Sequence, residues 1–269
     1  MKKWITCIKM AVMMAAMIFM GTGNNVFAND EVTYDSNMQT KKFDVNVKVG
    51  KDGSYTVTEN IKVKFVNPRH GIYRYIPYKG NVVTIDKNGG QKKLLYYADF
   101  KLLSNDSKTD VDEDSDGNSE VLQFGSEDYT VNEGNYKFTY QLTPQYQGDT
   151  FDYLYYNIFP TLWRNNIPKG STFTIHFPKK TDLKSVNFFY GRYGESKNAK
   201  DVLTLKYDEK NAQITGTLKK SLPFKNGLTC YSDLGDGYFT ERNEIGAGGF
   251  IFVVTMGILL ITAVLFARF

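Results

Sequence analysis

The sequence is short of the residues that usually carry chemistry. It holds two cysteines and two histidines. Cys7 lies in a stretch read below as a leader, so Cys230 alone would remain in the mature chain. That excludes an internal disulfide and a thiolate zinc site. Cys230 falls in GLTCYS, a strand-like context, and is read as a buried structural thiol. His70 and His176 are far apart in sequence and no third histidine joins them, so no zinc ligand set can be assembled. His176 alternates with core residues and is read as a surface strand histidine. A glycine-rich phosphate loop and a nucleophile-elbow sequence are both missing. Carboxylates are so abundant that no glycosidase pair can be singled out. No cofactor and no metal is expected, and the chain is not expected to be an enzyme.

Net charge is also missing where it would matter. The formal charge is +4, from 33 Lys and Arg against 29 Asp and Glu. Lys2, Lys3 and Lys9 lie in the leader and Arg268 in the tail, which leaves 29 bases against 29 acids between them. A neutral folded part gives no reason to expect a nucleic-acid partner.

The two ends do carry information. Residues 1–28 combine those lysines with the apolar run AVMMAAMIFMG and a small residue before Asn29, which reads as a secretory signal peptide. Residues 246–267, GAGGFIFVVTMGILLITAVLFA, hold no charged side chain. As a helix at about 1.5 Å per residue they would span roughly 33 Å, enough for a bilayer core of about 30 Å. Residues 241–245 would be a juxtamembrane linker and 268–269 a cytoplasmic tail. The expected localisation is a single-pass cell-membrane protein with residues 29–240 on the extracytoplasmic side.

Between the ends the hydrophobic period is two. Phe43, Val45, Val47 and Val49 alternate with polar residues, as do Tyr136, Phe138, Tyr140 and Leu142, and Phe173, Ile175 and Phe177. Each run would bury one face of an antiparallel sheet. Residues 202–207 and 213–218 flank DEKNA, a hairpin loop, and Lys51–Asp52–Gly53 marks a turn. One short helix is expected over 161–165, between Pro160 and Pro168. The expected fold is mainly β, an immunoglobulin-like antiparallel sandwich. It is either one elaborated unit or two β halves divided at 104–119 or at 160–170.

One segment breaks the pattern. Tyr55, Val57, Ile61, Val63 and Phe65 share a face with Glu59, and Arg74 shares one with Ile72 and Ile76. If the isoleucines point inward, so does Arg74, and a buried guanidinium without a partner costs several kcal/mol. Glu59 is a candidate partner. In a simple hairpin, however, Arg74 would face Lys64, leaving Glu59 roughly 17 Å away at about 3.3–3.4 Å per residue. The two could meet only from facing sheets or across a wide loop. Asp152 is a rival. A structural pair, a surface arginine and a ligand role stay open.

The stretch VTENIKVKFVNPRHGIYRYIP resembles the opening of the DUF2207 (YciQ-like) family of bacterial membrane proteins, which runs V-T-E, an alternating strand, then G-I-Y-R-x-I-P. The matching positions are Val57, Thr58, Glu59, Gly71, Ile72, Tyr73, Arg74, Ile76 and Pro77. FDYLYYNIFPTLWRNNIP is similar to a second family segment, with Tyr156 where tryptophan is usual and Trp163 retained, and GLTCYSDLGDGYF resembles the last strand before the membrane. Tyr75 stands where an acid is frequent, and family members commonly continue into further membrane spans. The resemblance implies an extracytoplasmic β-sandwich tethered to the membrane, with Glu59, Gly71, Arg74 and Pro77 as its structural motif. It implies no activity.

Two other constellations invite a function. Asp112, Asp114, Asp116 and Gly117 match the first positions of a calcium loop, but Gln123 stands where the bidentate glutamate belongs, so a solvated acidic hairpin loop is expected. Phe151, Tyr153, Leu154, Tyr155, Tyr156, Phe159 and Trp163 form an aromatic cluster that is core if buried and a sugar or protein platform if exposed. The favoured function is a non-catalytic interaction module with a protein partner. An envelope glycan-binding domain is the alternative, and an envelope hydrolase comes third.

Overall fold

A computed structural model describes residues 33–85, 91–145 and 152–242. The leader, the apolar run at 246–267 and Phe151 lie outside the described residues. The described chain is mainly β. Its strands are β1 (Met38–Val49), β2 (Tyr55–Arg69), β3 (Gly71–Pro77), β4 (Lys79–Ile85) and β5 (Gln91–Asn105). β6 (Val111–Ser115), β7 (Ser119–Gly125), β8 (Val131–Pro144), β9 (Asp152–Phe159) and β10 (Thr172–His176) follow. The last are β11 (Asn187–Gly191), β12 (Lys197–Asn198), β13 (Leu203–Asp208), β14 (Gln213–Leu218) and β15 (Gly227–Gly235).

They form three open sheets. The largest runs β13-β14-β10-β1-β2-β8-β5-β4, the second β12-β11-β15-β9 and the third β3-β7-β6. One face of the large sheet carries the alternating apolar residues of β1, β2, β8 and β10, as the period-two pattern requires. The second sheet packs on that face through Phe43–Phe159 and Tyr55–Tyr156, with ring centroids 5.7 and 5.6 Å apart. The third packs on the same face through Phe124 against Tyr136 and Phe138, at 5.6 and 4.7 Å.

The structure decides two points that the sequence leaves open, the first and third below, and changes two expectations. First, strands from both sides of each candidate seam pair in one sheet, so the described chain is one elaborated unit rather than two halves divided at 104–119 or 160–170. Second, the large sheet is not wholly antiparallel, because β1 and β10 run parallel with Val45 opposite Phe173. Third, β2 and β3 do not form a hairpin. β3 pairs with β7, placing Arg74 opposite Leu122 in a different sheet from Glu59. Fourth, residues 161–165 form turns and bends rather than a helix. Their side chains are spent on β1: Asn165 Oδ1 accepts from the Thr40 N–H and hydroxyl, both at 3.2 Å, and Trp163 Nε1 donates to Thr40 Oγ1 at 2.8 Å. Helical φ/ψ would turn these groups away from Thr40.

The same contact explains a break in β1. Its alternation slips at Lys41–Lys42, where the register with β2 shifts by a bulge. Thr40 is left facing inward to meet Trp163 and Asn165. The β13–β14 hairpin forms as expected, its turn closed by Asp208 accepting from the Asn211 N–H at 3.1 Å.

Gly71 starts β3 opposite Gly125 at the end of β7. A Cβ on Gly71 would lie 1.7 Å from the Phe124 carbonyl oxygen, and one on Gly125 2.2 Å from that of His70. Gly71→Ala should therefore force these strands apart and cost roughly 2 kcal/mol or more. A thermal melt checks this, and an unchanged Tm contradicts it.

Candidate functional site

Among the described residues three charged side chains are buried: Glu59, Arg74 and Asp152. Glu59 sits at the middle of β2, on the face that Val57 and Ile61 also line. Arg74 reaches it from β3, whose isoleucines do point inward. The guanidinium donates through Nε to Glu59 Oε2 at 2.8 Å and through Nη2 to Oε1 at 2.7 Å. Its Nη1 donates to the Tyr75 carbonyl, so the side chain also satisfies its own strand. The side chains are 3% and 0% exposed. The facing-sheet arrangement brings together two residues that hairpin counting keeps apart.

The network goes on beyond the pair. The Tyr140 hydroxyl on β8 donates to Glu59 Oε1 at 2.9 Å. That uses its only proton, so the Tyr156 hydroxyl on β9, 2.8 Å away, must donate to Tyr140. Glu59 thus collects two N–H donors and one O–H donor, and the chain of donors ends on β9. β2 and β8 belong to the large sheet, β3 to the third and β9 to the second. All three sheets are tied to one carboxylate.

Electrostatics keep the network charged and closed. Burial alone would lower the Arg74 pKa, but the adjacent Glu59 carboxylate outweighs it and raises the guanidinium above its ordinary range. Burial pushes the Tyr140 phenol well up, and the Glu59 charge adds to this. Tyr156 is raised by the same two causes in the same order. No proton in the set is easily released, and the lone pairs that matter are occupied. The arrangement is suited to holding sheets and poorly suited to handing a proton to a substrate.

Asp152 meets other groups than Arg74. Its Oδ2 accepts from the Phe239 N–H at 2.9 Å and its Oδ1 from Arg242 Nη1 at 3.0 Å. Sequence reasoning missed this clasp, since nothing in FDYLYY points to a segment ninety residues on. The DEDSDG pattern lies mostly in strand β6, with Asp112 opposite Gln123 and Asp114 opposite Val121. Only Asp116 is in the turn, where its Oδ1 accepts from the Asn118 and Ser119 N–H groups at 2.8 and 2.6 Å. Among the described residues no group of three or more His, Cys, Asp and Glu is placed to hold a metal ion.

Of the aromatic cluster, Tyr153, Leu154, Tyr156, Phe159 and Trp163 are buried and Tyr155 is half-buried. They are core. His70 Nδ1 lies 2.8 and 2.9 Å from the Ser126 and Tyr129 carbonyls and pins the β2–β3 turn to the loop after β7. His176 is half-buried beside the Asn46 amide at 3.2 Å, and burial with the nearby Lys48 lowers its pKa. Pro77 closes β3 opposite Ser119.

A model described as the predicted membrane protein (DUF2207) N-terminal domain matches residues 39–220. The chain belongs to this family. The DUF2207 match covers the Glu59–Arg74 pair and every strand that contributes to it. A comparison with curated proteins finds no match. Similar solved structures include a two-domain M1 zinc metallopeptidase mutant bound to L-tryptophan, 13% identical over 74% of this chain and 43% of its own, with a TM-score of 0.39. An M1 zinc metallopeptidase mutant from Deinococcus radiodurans gives the same values, 13%, 74%, 43% and 0.39. Native yeast LTA4 hydrolase is 11% identical over 73% of this chain and 29% of its own, with a TM-score of 0.40. The chain spans less than half the length of these structures, and likeness at this level carries no conclusion about activity.

Two outcomes test the site. Arg74→Met removes both N–H donors and the counter-charge from the buried Glu59 side chain, and should cost about 3–5 kcal/mol in a thermal or urea melt. A loss near zero would contradict the pairing. Burial also raises the Cys230 thiol from its ordinary 9.0 to about 12, and the Tyr136 phenol from 10.0 to about 12. The unfolded chain releases these protons first as pH rises, so stability should be full below about 9 and fall towards 12. Melts that do not drop across that window would show these groups to be solvated.

Proposed function

We propose that the chain is a membrane-anchored, extracytoplasmic interaction module without catalysis of its own. Its described sheets are read as an immunoglobulin-like β-sandwich, the large sheet forming one layer and the two smaller sheets the other. Residues 1–28 serve as its signal peptide and residues 246–267 as its single transmembrane helix. Membership of a predicted membrane-protein family supports the anchoring.

One observation carries the non-catalytic reading. The buried ionisable groups are committed to one another and shut away from solvent, with Glu59 accepting from Arg74 and Tyr140 at 2.7–2.9 Å. Polar groups poised for turnover converge on an open cleft, whereas these converge on the middle of a core. Function then falls to the exposed faces and ends, as in a binding domain. The burial of the aromatic cluster gives a glycan platform built from Trp163 and Tyr156 no support. A protein partner is the better reading. In-cell crosslinking of the full chain should recover a reproducible partner, lost when the ectodomain is replaced on the same span. Recovery of nothing above background would contradict the module, and turnover of wall material by the purified chain would contradict its lack of catalysis.

A further inference from the structure

The strand register gives the domain two ends. At one, Val49 lies opposite Tyr55, Tyr55 opposite Leu142, and Ala98 opposite Pro144. Gly235 lies opposite Asp152, and the Thr240 N–H, five residues on, donates to the Lys51 carbonyl in the β1–β2 turn at 2.9 Å. The end of β15 and the start of β9 therefore belong with that turn. At the other end Met38 lies opposite Phe65. The twelve residues of β1 separate the two ends by roughly 36 Å at about 3.3 Å per residue.

The chain leaves its described part at the first end. Tyr238 and Phe239 are buried there, and Asp152 holds the Phe239 N–H and the Arg242 guanidinium. Residues 243–245 alone separate Arg242 from the apolar run that starts at Gly246. At no more than about 3.6 Å per residue, that run begins within roughly 14 Å of Arg242.

A second feature projects from the same end. The pairing of β5 with β8 starts at Ala98–Pro144, with the Gln145 N–H reaching the Tyr97 carbonyl. Before that point β5 pairs with β4 alone, from Lys79–Tyr97 to Ile85–Gln91. The two strands form an arm that runs past the end of β8 for roughly 20 Å at about 3.3 Å per residue. Residues 79–85 and 91–97 hold Lys79, Lys92 and Lys93 and no acid, whereas residues 29–245 as a whole carry 29 bases and 29 acids. They also hold Val82, Val83, Ile85, Leu94, Leu95 and Tyr97. Leu95 and Tyr97 are 49% and 37% exposed. The acidic β6–β7 turn meets the base of this arm, where the Tyr78 hydroxyl lies 2.8 Å from Ser115 Oγ.

We propose that the β4–β5 arm and the Asp152 clasp make up the membrane-facing end of the domain, with the arm lying against phospholipid headgroups. This rests on the anchoring of residues 246–267 proposed above. By register, positions 79, 93, 95 and 97 share one face of the arm, and basic residues beside leucine and tyrosine suit that surface. The clasp keeps the domain from swinging freely on its tether.

The test uses the mature chain, residues 29–269, whose one cysteine, Cys230, is buried. It is reconstituted into phosphatidylcholine vesicles, with and without phosphatidylglycerol, that carry a nitroxide on the headgroup. A fluorophore is placed at Leu95→Cys in the arm or at Val66→Cys, a 61% exposed position near the opposite end. Headgroup quenching is expected at position 95 and not at 66. Lys92→Glu with Lys93→Glu should weaken it at 95 in the anionic vesicles. Equal quenching at both positions, stronger quenching at 66, or indifference to the glutamates would overturn the proposal while leaving the anchor in place. A chain that fails to float with the vesicles would overturn the anchor, and the proposal with it.

Discussion

The fold depends on a single carboxylate. Glu59 lies at the centre of the large sheet, where a charge is costly unless every lone pair that matters is used. Arg74 brings the third sheet to it and Tyr140 brings the phenol chain that ends on the second. Apolar contacts alone would let the smaller sheets slide over the large one, since aromatic and aliphatic packing tolerates many registers. A bidentate ion pair with a phenol relay tolerates few. The pair need not add much net stability to specify the arrangement.

Much of this was legible in the sequence and part of it was not. The period-two runs located β2, β8 and β10 with their buried faces, and an acid and an arginine each interrupting such a face marked both members of the pair. What local pattern could not show was which strands are neighbours. NPRHG between β2 and β3 looks like a hairpin turn, yet the chain changes sheets there, and only that change lets Arg74 face Glu59. The parallel β1–β10 pair is hidden for the same reason, because its strands are more than a hundred residues apart. The expected helix at 161–165 failed because Trp163 and Asn165 bond to Thr40, a contact that no propensity encodes. The Asp152 clasp is equally nonlocal.

These nonlocal contacts also organise the molecule from end to end. One end gathers the β1–β2 turn, the Asp152 clasp and the β4–β5 arm. The other gathers the β2–β3 turn held by His70 and the Trp163–Thr40–Asn165 contacts. The buried network lies between them. A domain tied in this way resists sliding of its layers over one another.

The most direct measurement is amide hydrogen exchange on the full chain carrying Glu59→Gln, which keeps the side-chain shape and removes the charge. If one carboxylate ties the three sheets, protection should fall together in β2 and β8, in β3 and β7, and in β9 and β15. A loss confined to β2 and its immediate partners, with β3 and β9 protected as before, would contradict the account.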